Sequence, residues 1–160
     1  MHFFFESEHI SFVRVSEKLL PDYLAMVNDI EHVARFIGDR RDPLTEAKEK
    51  GWVRQKLAEE AVLFSMLEKD TGAFIGNIEF MDVADGAGEL GIAITARMQG
   101  KGYGTEAILA MLAYGWDKLG LHRVFLKVFP DNARAIRVYE KCGFREYDRT
   151  ESDVFMEVTK

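Results

Sequence analysis

The stretch Gln-Gly-Lys-Gly-Tyr-Gly-Thr-Glu-Ala, residues 99–107, carries glycines at 100, 102 and 104 and runs straight into a helical pattern. Each glycine raises the entropy lost on folding, so the backbone here does something that a side chain would obstruct. The first turn of a helix leaves its N–H groups unpaired, and the helix dipole favours an anion beside them. With no Cβ at Gly100, Gly102 or Gly104, a phosphate can approach that backbone closely, and Lys101 adds a positive charge. Phosphate binding is the chemistry this spacing points to; a tight turn without ligand is the plainer alternative. A Walker loop is excluded, because Tyr103 follows Gly102 where Lys and a hydroxyl residue are needed. A dinucleotide fingerprint is excluded too: Thr105 stands where its third glycine belongs, and the stretch does not follow the first strand.

Other chemistry-bearing residues are sparse. The histidines (His2, His9, His32 and His122) show no metal-ligand spacing, so no metal site is expected; His32 either lines a groove between the first helices or lies on the surface. Cys142 is the single cysteine, which excludes an intrachain disulfide and suits a reducing cytoplasm; its apolar helix face reads as a buried structural thiol. Asn132 and Tyr139 are two helical turns apart, on one face with Ala135, Val138 and Cys142. On spacing alone Tyr139 reads as an aromatic anchor and Asn132 as a cap. Tyr103 and Trp116 need only packing roles.

The elements that must hold these residues follow from period and punctuation. Residues 10–16 read as a first strand, and Leu19–Asp29 as a helix with Pro21 near its start. Residues 41–60 form a second helical region, with Asp42 as cap, Pro43 in the first helical position and a bend expected at Gly51. Two strand-like runs follow, joined by the hairpin signal Lys69-Asp70-Thr71-Gly72, and "ELGIAIT" over 89–95 completes an antiparallel meander. Beyond the glycine stretch come a helix ending near Gly120, a strand over 121–129, a short helix capped by Asp131 or Asn132 and stopped at Gly143, and a last strand over 153–159. One α/β domain over residues 1–160 is expected, a mixed sheet with helices on its faces.

Composition bounds the function. With 48% hydrophobic and 12% aromatic residues the chain can bury a sizeable core. A net charge of −6 argues against non-specific nucleic-acid binding. No run reaches the ~20 apolar residues of a membrane span, and the Phe-rich start lacks the basic region of a signal peptide, so a soluble cytoplasmic protein is expected.

Two motifs carry a family resemblance. "QGKGYGTEA" resembles the pyrophosphate-binding motif of the GNAT N-acetyltransferase superfamily (Arg/Gln-x-x-Gly-x-Gly/Ala), with Gln99, Gly102 and Gly104 in its fixed positions. "NARAIRVYEKCGF", residues 132–144, resembles the second signature, and residues 12–29 resemble the opening strand and helix of the branch holding ribosomal-protein N-terminal and spermidine acetyltransferases. The resemblance implies an α/β (α+β) fold: a twisted mixed sheet, mostly antiparallel, splayed in the middle and flanked by about four helices. It implies acetyl-CoA as co-substrate, held by backbone amides of residues 100–105 (Gly100, Lys101, Gly102, Tyr103, Gly104, Thr105) with Gln99. Ile92 and Ile94 would pair with the pantetheine arm like another strand, and Asn132 would contact that arm. Gln99 stands where many relatives carry Arg, so Lys101 is expected to carry more of the electrostatics.

The chemistry so implied is acetyl transfer to a primary amine, small-molecule or peptide: a polyamine, a protein N-terminus, an amino acid or an amino-antibiotic. A CoA-binding regulatory module without catalysis is the alternative. Tyr139 would give a proton to the departing sulfur. An amine of pKa near ~10 must lose a proton first, and Glu89 is the expected base, with Glu79 or water as the other candidates. Homodimers are common in the family, so a homodimer is a possible state.

Overall fold

The computed structural model describes residues 3–37 and 42–160; His2 and Arg41 lie outside them. Among the described residues eight strands join one sheet in the order β1-β2-β3-β4-β5-β6-β8-β7. The strands are β1 (Phe3–Glu6), β2 (Ile10–Arg14), β3 (Val62–Glu68), β4 (Phe74–Ala84), β5 (Ala87–Ile94), β6 (Arg123–Val128), β7 (Arg145–Arg149) and β8 (Val154–Thr159). The helices are α1 (Leu20–Val27), α2 (Arg35–Ile37), α3 (Glu46–Ala58), α4 (Tyr103–Lys118) and α5 (Ala133–Lys141). Every strand pair is antiparallel except β5 with β6.

The expected meander is β3-β4-β5, with its hairpin turns at 69–73 and at Asp85-Gly86. Its alternation sends side chains to two cores. Phe64, Ile78, Phe80 and Leu90 pack under α4 with Ile108, Met111 and Leu112, whereas Leu63, Leu67 and Phe74 pack under α1 and α3 with Tyr23, Met26 and Val53. Helix α4 lies close on the sheet because Gly115 faces Phe80: a Cβ there would stand 3.0 Å from the ring.

Four differences from the sequence reading have physical causes. The cap of α3 is Thr45, whose hydroxyl accepts from the Lys48 N–H at 3.2 Å, and not Asp42. Glu46 and Glu49 in the first turn favour that start through the helix dipole. The helix also runs unbroken through Gly51. Strand β1 was not anticipated, because three consecutive phenylalanines show no alternation. Phe5 stacks on Phe12 (4.2 Å between centroids) and Tyr114 (4.8 Å), which explains its place. Strand β7 was missed because all five residues are exposed, leaving no apolar period to read.

Candidate active site

The parallel pairing of β5 and β6 stops after Ala87–Arg123, Gly88–Val124 and Glu89–Phe125, although both strands continue. The sheet therefore splays beyond Glu89. Because the Thr95 N–H donates to the Ile75 carbonyl at 2.9 Å, antiparallel alternation turns the backbone groups of Ile92 and Ile94 away from β4 and into the opening. The N–H and C=O of Ile92 have no partner among the described residues; the Ile94 carbonyl accepts from Gln99 Nε2 at 2.9 Å. The splay opens a cleft of about 1170 Å³, lined by Glu89, Ile92, Ile94, Gly100, Gly102 and Tyr139 among others.

The glycine stretch sits at this cleft. Helix α4 begins at Tyr103 after Gly102, whose φ of +87° and ψ of −1° favour glycine strongly. The first internal bond of the helix is Glu106 N–H to Gly102 O, at 3.2 Å. No hydrogen bond among the described residues uses the N–H groups of residues 100–105, and no side chain caps the helix. That leaves a run of backbone donors at the positive end of a sixteen-residue helix, the arrangement an anion requires.

The side chains fall differently from the sequence reading in part. Tyr103 points away from the cleft and donates its hydroxyl to Glu68, a bond that pushes its own pKa up to about 12. Lys101 is exposed, does not line the cleft, and contributes to holding the Glu68 carboxyl low, after the bonds from Thr71 and Tyr103. Thr105 lines the cleft, and its carbonyl faces Cys142 Sγ at 3.8 Å. Asn132 caps α5 by accepting from the Ala135 N–H at 3.3 Å and also lines the cleft. Arg134, which the sequence reading passed over, lines it as well: its Nη2 stands 3.2 Å from where a Gly100 Cβ would lie. The one sequence signal for it was the uncharged Gln99 in the motif.

Tyr139 lines the cleft with a half-buried ring packed on Phe144, 5.8 Å between centroids. Its hydroxyl has no hydrogen-bond partner among the described residues, and burial pushes its pKa up to about 12. Burial likewise raises Cys142 to about 11, fitting an inert packed thiol. Glu89 lines the cleft, while Glu79 opens on a neighbouring pocket of about 450 Å³ with Lys56, Glu59 and Asp82. Burial raises the Glu79 carboxyl, against the opposing pull of Lys56 and with some help from Glu89. His32 lines the cleft mouth with Nδ1 at 3.1 Å from Asp29 Oδ1. Away from the cleft, His9 meets Glu8 and Glu106, with potential ligand atoms within 4.8 Å of one another. Two of these three residues are exposed and the trio is joined by its own hydrogen bond and ion pairs.

The acetyltransferase (GNAT) domain model matches residues 9–145. The chain belongs to the GNAT acetyltransferase family. It is 32% identical over 102 residues to the uncharacterized N-acetyltransferase YnaD of Bacillus subtilis, covering 63% of this chain and 60% of that protein. It is 32% identical over 84 residues to the spermidine N(1)-acetyltransferase of Vibrio cholerae, covering 51% and 49%. The chain spans about three fifths of the length of the first curated relatives it matches. Among solved structures, a GNAT-family acetyltransferase from Bacillus anthracis superposes with a TM-score of 0.85 at 21% identity, covering 96% of each chain. Spermidine N-acetyltransferase from Vibrio cholerae in complex with CoA and spermine superposes at 0.81 and 20%, again over 96% of each. These likenesses establish the splayed GNAT fold. No helix among the described residues is long and apolar enough to cross a membrane.

Proposed function

We propose that the chain is an N-acetyltransferase that moves an acetyl group from acetyl-CoA to a primary amine. The observation that carries this reading is the parting of β5 and β6 beside the unpartnered N–H groups of residues 100–105. Acetyl-CoA fits both: a diphosphate suits the backbone donors, and an amide-bearing pantetheine arm suits the open backbone of Ile92 and the Ile94 N–H. Bound, it supplies the thioester carbon that accepts the amine. Glu89, at the point of parting, takes the proton of the incoming ammonium on its carboxylate, directly or through water. Glu79 faces the neighbouring pocket, which favours Glu89 over it. Tyr139 keeps its proton throughout the neutral range and offers it to the departing thiolate.

The acceptor is a small or peptide amine. Similarity to a spermidine acetyltransferase, and to a structure holding spermine, supports a polyamine; a protein N-terminus, an amino acid and an amino-antibiotic complete the set. Calorimetric titration of the purified protein with acetyl-CoA, followed by thiol release over a panel of such amines, tests the reading. Saturable binding and amine-dependent release are expected. Absence of binding overturns it, and binding without release on any amine returns the chain to a CoA-binding module.

A further inference from the structure

Gln99 occupies the first fixed position of the motif, yet its amide has no donor left for an anion. An amide nitrogen carries two N–H groups. Here they go to the His32 carbonyl at 3.1 Å and the Ile94 carbonyl at 2.9 Å, and the backbone N–H of Gln99 donates to Ala96 O at 3.2 Å. What Gln99 still offers is its carbonyl oxygen, which accepts from Arg134 Nη1 at 3.3 Å. The other guanidinium nitrogen, Nη2, lies beside Gly100 where a side chain would otherwise stand, at 3.2 Å from the missing Cβ. A guanidinium has five N–H donors, and among the described residues only the one to Gln99 is engaged and no carboxylate pairs with Arg134.

Arg134 is also in an unfavourable place for a structural residue. It sits in the first turn of α5, where the helix dipole disfavours a cation and where no acidic residue offsets it. A local rule broken without a local gain marks a position kept for another purpose. We propose that Arg134 is the cationic ligand of the cofactor's diphosphate, and that Gln99 is the positioning residue that holds it there. The proposal rests on the acetyl-CoA reading above. It moves the missing charge of the motif from Lys101, whose side chain lies outside the cleft, onto a different helix. A planar guanidinium can meet two phosphate oxygens at once while the backbone donors of 100–105 meet the others.

The test compares three acetyl donors: acetyl-CoA, acetyl-dephospho-CoA and acetyl-pantetheine, which has neither the diphosphate nor the 3′-phosphate. Arg134→Gln is expected to weaken binding of the first two by ~10-fold or more and to leave KM for acetyl-pantetheine unchanged. Arg134→Lys should recover part of the loss, and Gln99→Ala should show the same donor pattern at smaller size. Loss confined to acetyl-CoA would assign Arg134 to the 3′-phosphate and overturn the proposal. An equal loss with acetyl-pantetheine would make its role structural, and unchanged affinity for all three would remove it altogether. A wild-type protein that binds none of the three instead refutes the acetyl-CoA reading itself.

Discussion

Replacing Gly102 with alanine separates backbone strain from damage to the anion cradle. At φ +87° an L-residue is strained, but a Cβ built there meets no atom within 4 Å, so the fold bears only the conformational cost. That cost is about 1–2 kcal/mol. At ~2–4 °C per kcal/mol for a domain of this size, the melting temperature should fall by roughly 2–8 °C. Gly120 supplies the control: its φ is +65°, its Cβ would also meet open space, and it lies beyond the far end of α4, outside the cleft. Gly120→Ala should lose similar stability and keep wild-type affinity for acetyl-CoA. Gly102→Ala should lose affinity as well, by ~10-fold or ~1.4 kcal/mol, because relaxing φ turns the N–H groups aside and the methyl stands in the anion's path. Thermal melts and calorimetric titration of both variants check this. A folded Gly102→Ala protein with the wild-type Kd would refute the assignment of the loop.

The other expectations concern the proton-carrying groups. Tyr139→Phe keeps the ring against Phe144 and should lower kcat by roughly 10²–10⁴-fold at unchanged acetyl-CoA affinity; an unchanged kcat, with chemistry limiting, returns Tyr139 to a packing role. Glu89→Gln should lower turnover at neutral pH, with the defect shrinking at high pH where the amine arrives deprotonated; unchanged turnover across that range points to Glu79 or water. Glu79 has its folded-state pKa raised, chiefly by burial, so between its ordinary and its raised value the folded chain keeps a proton that the unfolded chain has released. Stability is therefore lost as pH rises through that window, and Glu79→Gln should melt higher than wild type at neutral pH but equally below the ordinary carboxylate range; a lower melting temperature at pH 7 would contradict this.

The parts of the site legible in the sequence are those whose cause is local. The glycine stretch, the α4 start and the α5 cap each depend on residues within a few positions, so turn chemistry and helical period reveal them. Tyr139 and Asn132 share a cleft-lining face because seven residues make two turns. What escaped depends on contacts between distant segments. The Gln99 amide is engaged by a carbonyl 67 residues back, and Arg134 reaches its position through a partner 35 residues away. Neither contact leaves a trace in spacing. Even Lys101, adjacent in sequence to the key glycines, is carried to the Glu68 side by the start of the helix.

The same distinction separates the two halves of the proposed reaction. The donor side is built by a continuous segment, from β5 through the loop into α4, so a nine-residue quotation from the chain nearly defines it. Away from the glycine stretch, the cleft is lined by Glu31, His32 and Phe36 from the stretch after α1, Glu89 from β5, Lys127 from β6 and Asp153 before β8, and on the proposed function the amine would meet these. Four separated segments with both signs of charge can be tuned independently, and none has to keep a backbone conformation that only glycine adopts. On the proposed function the thioester donor is therefore readable from residue spacing, whereas the amine would be chosen by side chains whose proximity exists only after the sheet has formed and parted.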